Sequence, residues 1–100
     1  MKQVLSNLDF ETNGQGFTDI TKEINLWIKN KKFKQGILLL FLKHTSCSLI
    51  INENADINVL KDLSNYMKAI VPEKDFYPID RSGQRIEYLH SEEGLDDMPA

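Results

Sequence analysis

A single cysteine, Cys47, occurs in the hundred residues, so no internal disulfide can form and the chain suits a reducing compartment. Long apolar runs are missing too. The longest, Ile37-Leu38-Leu39-Leu40-Phe41-Leu42, falls far short of the roughly 20 residues that span a bilayer. The first residues, Met1-Lys2-Gln3-Val4-Leu5-Ser6-Asn7, carry no apolar stretch of the secretory kind. The expected location is cytoplasmic, with no membrane partner. Basic excess is also absent: 12 Lys and Arg against 15 Asp and Glu leave a net charge of −3. That excludes the basic footprint of a generic nucleic-acid binder. There is no H-x-x-x-H pair, no G-x-S-x-G elbow and no internal repeat, which removes a local metal motif and a hydrolase-type nucleophile.

What remains is an ordinary globular composition, 41% hydrophobic and 27% charged, enough for one domain spanning residues 1–100. Residues 4–11 alternate loosely as a strand would, and Asn13-Gly14-Gln15-Gly16 reads as the turn after it. Over residues 17–34 the spacing becomes helical. Ile20, Ile24, Trp27 and Ile28 form one stripe. Thr18 or Asp19 can cap its start, and Lys29, Lys31, Lys32 and Lys34 suit the negative end of its dipole. Gly36 is the expected terminator. The run 37–42 is apolar on both faces and predicts a central strand. A second helix is predicted over 56–70 from Val59, Leu60, Leu63, Met67 and Ile70, with Pro72 just beyond. Residues 73–91 read as loop with a short strand near 85–89. Strands and helices in this order point to α+β.

The chemistry gathers between His44 and Asp56, His-Thr-Ser-Cys-Ser-Leu-Ile-Ile-Asn-Glu-Asn-Ala-Asp. Few of these groups can be buried unpaired without cost. Extended from 44 to 52, the chain sets His44, Ser46, Ser48, Ile50 and Asn52 on one face. Thr45, Cys47, Leu49 and Ile51 turn to the core side, which makes Cys47 a small hydrophobe rather than a nucleophile. Glu53 and Asp56 can hold a divalent cation or act as acid and base. Asp56 is better read as a helix cap, whereas Glu53 has no obvious scaffolding role. His44 and His90 are the two imidazoles available as metal ligand or neutral-pH acid and base. The lysines of 29–34 can attract phosphates, although a solvated helix end explains them more simply.

Taken together, Gly16-Phe17-Thr18-Asp19-Ile20-Thr21, His44-Thr45-Ser46 and Ile51-Asn52-Glu53-Asn54-Ala55-Asp56 closely resemble the YjbQ-like family, small proteins labelled secondary thiamine-phosphate synthases. The similarity continues through Leu60-x-Asp62-Leu63, Val71-Pro72, Tyr77 and Tyr88-Leu89-His90. It implies an α+β fold: an antiparallel or mixed, jelly-roll-like β-sandwich with two helices, assembled as a homotrimer. It also implies a site on His44, Glu53 and His90, which serve as catalytic groups and as ligands of a divalent zinc or magnesium ion. Ser46, Asn52, Asn54 and Asp56 are the expected contacts to a small phosphorylated substrate. The implied reaction joins a pyrimidine diphosphate to a thiazole phosphate. The alternatives are a trimeric binder of metal or small anions, and an inactive piece of a split gene. The third follows because the family's later His-Ile-Lys and Gly-Thr-Trp-Gln motifs are not present, which makes the domain C-terminally incomplete. Ile57 stands where the family usually has proline.

Overall fold

A computed structural model of the chain describes residues 1–74, 77–87, 89 and 94. The chain divides into two units, Met1–Phe41 and Leu42–Ala100.

The first unit is built around helix α1, Thr21–Asn30, shorter at both ends than the spacing predicts. The stripe is where the periodicity places it. Ile20, Ile24, Trp27 and Ile28 are half-buried while the intervening residues are exposed. Asp19 opens the helix, its Oδ1 accepting the Thr21 N–H at 2.9 Å. This satisfies one of the first-turn donors that no helical carbonyl can reach. The Thr21 hydroxyl and N–H together hold the Asp19 carboxyl below the usual aspartate range. Glu23 in the first turn and Lys29 in the last complement the helix dipole. Gly36 does not end this helix. The chain turns instead at Lys32, whose φ of +59° is left-handed, as the Lys32 N–H bonds the Lys29 carbonyl at 3.0 Å. The Lys31 carbonyl just ahead of that turn takes the Lys2 ammonium at 2.9 Å. Lys2 also lies 4.8 Å from the centre of the Phe33 ring, a cation–π contact that ties the first residues to the end of α1.

The second unit contains helix α2, Val59–Ile70. Asp56 makes a forward bond just ahead of it: its Oδ1 accepts the N–H of Asn58, the residue before the helix, at 2.8 Å, and its carbonyl accepts the Val59 N–H at 3.1 Å. Val59, Leu60 and Leu63 are half-buried, whereas Met67 and Ile70 at the far end of the stripe stay exposed. Beyond α2, residues 78–86 fold into a small hairpin that the loop expectation for 73–91 does not include. Ile79 and Arg85 pair antiparallel, and the Ile86 N–H reaches the Pro78 carbonyl at 2.9 Å. Asp80 organises the tip. One carboxylate oxygen accepts the Ser82 N–H at 2.8 Å, the Ser82 hydroxyl at 2.6 Å and the Gln84 N–H at 2.9 Å. The Ser82 hydroxyl above all, then the Gln84 amide, keeps the Asp80 carboxyl below its usual range. Gly83, at φ +85°, supplies the left-handed residue this tight turn needs. The Arg85 guanidinium stacks over the Tyr77 ring.

Among the described residues no strand ladder forms apart from that single bridge, and none is fully buried. The run 37–42 nevertheless keeps the period of an extended backbone. Ile37, Leu39 and Phe41 are 101, 86 and 81% exposed, but Leu38 and Leu40 only 44 and 42%. Among the described residues no helix is long and apolar enough to cross a membrane.

Candidate functional site

Residues 44–56 all belong to the second unit, and all are exposed. The uninterrupted strand expected over 44–52 is broken near its start by a turn at Thr45 and Ser46. The Ser46 backbone N–H donates to His44 Nδ1 at 3.0 Å. An imidazole nitrogen two residues back thus takes the place of a partner strand's carbonyl, as short polar side chains do in turns. The alternation of faces does not survive this turn. Cys47, Leu49 and Ile51 are exposed rather than turned to a core, because no second layer covers them among the described residues.

Further along, Asn52 folds back so that its Nδ2 donates to the Glu53 carbonyl at 3.1 Å. The Glu53 carboxylate and the Asn54 amide extend into solvent. The Asp56 carboxylate is engaged just ahead of α2 by the Asn58 N–H. The helix N-cap is Asn58, with no side-chain cap bond, so Asp56 does not take the capping position expected of it. The structure therefore brings together His44 with Ser46, Asn52 with Glu53, and Asp56 with Asn58, each pair through a bond local in sequence. His90, the second imidazole of the implied site, lies outside the described residues.

Among the described residues no three His, Cys, Asp or Glu side chains gather closely enough to hold a metal ion. His44 adds a chemical reason, since one of its two nitrogens is already occupied by a backbone donor. The described residues alone do not fit a zinc or magnesium site. An open concavity over the first turn of α1 is lined by Asp19, Thr21, Lys22, Glu23 and Asn25, and it includes none of the candidate residues.

Sequence reading missed the hairpin of Asp80, Ser82 and Gly83. The signal was present in Asp80-Arg81-Ser82-Gly83, a turn pattern in which the acid bonds forward and glycine takes the left-handed position. It also missed the bond between Ser46 and His44, for which residue identity alone carries no distinctive signature.

The profile described as UPF0047 protein YjbQ-like matches residues 6–100, and the chain belongs to this family. A relative in Synechocystis, UPF0047 protein sll1880, is 42% identical over 89 residues, covering 89% of this chain and 54% of its own length. UPF0047 protein YjbQ of Escherichia coli O157:H7 is 34% identical over 94 residues, covering 93% of this chain and 60% of its own. UPF0047 protein MJ1081 of Methanocaldococcus jannaschii is 34% identical over 71 residues, covering 70% and 51%. The chain thus spans little more than half the length of the curated relatives it matches. No solved structure matches it.

Proposed function

We propose that this family domain, at the full length of its relatives, handles a small phosphorylated molecule and catalyses a transfer of the thiamine-phosphate synthase type. In that reaction the carbon–oxygen bond between a pyrimidine's methylene and its diphosphate breaks. A carbon–nitrogen bond to the thiazole phosphate forms, and pyrophosphate leaves. The chemistry needs donors aimed at the departing anion more than it needs a nucleophile on the protein. His44 and Ser46, with Asn52 and Asn54 further along the same segment, are the donor set. Glu53 and His90 are the further catalytic candidates. One observation carries the reading: an imidazole, hydroxyls, amides and a free carboxylate stay solvent-exposed along 44–54. A jelly-roll-like β-sandwich, a homotrimer and a cytoplasmic location belong to the same proposal.

The test appends to residues 1–100 the part of the Synechocystis relative that lies outside the match. Pyrophosphate release from the substrate pair is then followed. Turnover should exceed the blank, and His44→Gln and Glu53→Gln should each lower it by about 10²-fold or more, as for a lost acid–base or anion-stabilising group. No release, or release indifferent to both substitutions, overturns the proposal.

A further inference from the structure

We propose that His44 acts as a fixed N–H donor to an anionic phosphate oxygen, its proton confined to Nε2 because the Ser46 backbone N–H occupies Nδ1. This rests on reading residues 44–56 as an anion-handling site, and it assigns the chemical form in which their imidazole meets the ligand.

The geometry is the 3.0 Å bond from Ser46 N to His44 Nδ1. A ring nitrogen that accepts an N–H uses its lone pair to do so and carries no proton itself. Neutral imidazole has one ring proton, which then resides on Nε2. The bond made by one nitrogen sets the role of the other. Ser46 is therefore a positioning residue, and it acts through its main chain. Among the described residues no protein acceptor engages Nε2, and the residue is exposed, which leaves that donor available to a ligand.

The flanking residues match a negative partner. Thr45, Ser46 and Ser48 flank His44 in sequence, offering three hydroxyls, and the nearest acid following it is Glu53. A cation makes the opposite demand. Coordination through Nε2 needs a lone pair there, so the proton would have to move to Nδ1 and break the Ser46 bond. The turn thus selects for an oxygen anion and against a metal at this nitrogen. The absence of a three-donor cluster among the described residues agrees with that selection.

The experiment is a long-range proton–nitrogen correlation spectrum of the ¹⁵N-labelled chain. A His90→Gln background leaves only the His44 ring to be read. Measurements are made near pH 8, where an ordinary imidazole is mostly neutral, and the same chain unfolded in urea is the reference. One net hydrogen bond should raise the ratio of the Nε2–H to the Nδ1–H form by roughly two- to twelvefold over the unfolded chain. Ser46→Ala retains the backbone N–H and should retain the ratio, while Ser46→Pro lacks it and should return to the reference. Inorganic phosphate and pyrophosphate, titrated separately, should each move the Nε2 signal; the tighter of the two identifies the ligand as a monophosphate or a diphosphate. A ratio equal to the reference in the unsubstituted turn, or tilted toward Nδ1–H, overturns the proposal. So does an Nε2 that responds to zinc and to neither anion. If tautomer and anion response hold while the full-length protein releases no pyrophosphate, the transferase reading fails and this assignment stands.

Discussion

Helix α2 and the run 37–51 differ in where their backbone hydrogen bonds go. Within Val59–Ile70 each interior N–H finds a carbonyl four residues back, and the Asp56 carbonyl takes the first N–H, from Val59. An extended run has no such internal supply, since every second N–H and C=O must find a neighbouring chain or water. The helix forms with Met67 and Ile70 still exposed. The run keeps its period of two in side-chain exposure only from Ile37 to Phe41, and no ladder forms beside it among the described residues. Elements that close their own bonds appear in this chain, and elements that need a distant partner are left waiting for one.

The largest test of that contrast is at Leu39 and Phe41. Both are more than four-fifths exposed in this chain, so Leu39→Ala or Phe41→Ala should cost under about 0.5 kcal/mol here. In the protein extended to its relatives' length, where covering layers are expected, the same changes should cost about 2–5 kcal/mol. Urea unfolding of both forms supplies the comparison, and equal costs in the two would break it.

Association comes next. A run of alternately exposed Ile37, Leu39 and Phe41 is a template for pairing with other chains. Residues 1–100 alone should associate as concentration rises and melt at a lower temperature than the extended protein, as read by light scattering and thermal scans. A soluble trimer with one sharp transition would show that this chain completes its own layers.

Two smaller tests sharpen the other side, the self-contained elements. Lys32 holds a left-handed conformation that costs a non-glycine residue roughly 1–2 kcal/mol. Lys32→Gly relieves it but adds about 0.5–1 kcal/mol of unfolded-chain freedom. The net gain in stability should be positive and no more than about 1.5 kcal/mol, the difference between those two ranges at their extremes. A loss would mean that the lysine's interaction with the helix end outweighs the strain.

At the hairpin, the Asp80 carboxyl is held below its usual range by the Ser82 hydroxyl first and the Gln84 N–H second. A group depressed in the folded state stabilises above its unfolded value and loses that contribution as pH falls through the folded one. The hairpin should therefore loosen only below about pH 4, seen as faster amide exchange at Ser82 and Gln84. Asp80→Asn retains an acceptor oxygen and should remove the pH dependence while leaving the turn. Persistence of the dependence would point to another acid.

How much was legible follows the same division. Family membership was readable, because the motifs at 16–21, 44–46 and 51–56 are specific side-chain combinations. Both helices were readable from the spacing of Ile20, Ile24, Trp27 and Ile28 and of Val59, Leu60 and Leu63, whereas the cap expected at Asp56 was not, since α2 starts at Val59 behind Asn58. The end of α1 was misread at Gly36, since glycine is the statistical terminator and a lysine at Lys32 had to bear the strain instead. Cys47 was assigned to a core face by parity. Parity holds only while a strand continues, and the His44–Ser46 turn interrupts it.

The amino-acid sequence by itself determined the family, the two amphipathic stripes and the residues able to do chemistry. These depend on interactions spanning a few positions, where composition and period suffice. Only the tertiary structure decided that α1 ends on a left-handed lysine and that Asp80 knots a hairpin. It alone decided that His44 spends Nδ1 on its own backbone, because each of these outcomes turns on which of several competing hydrogen bonds the folded chain can reach.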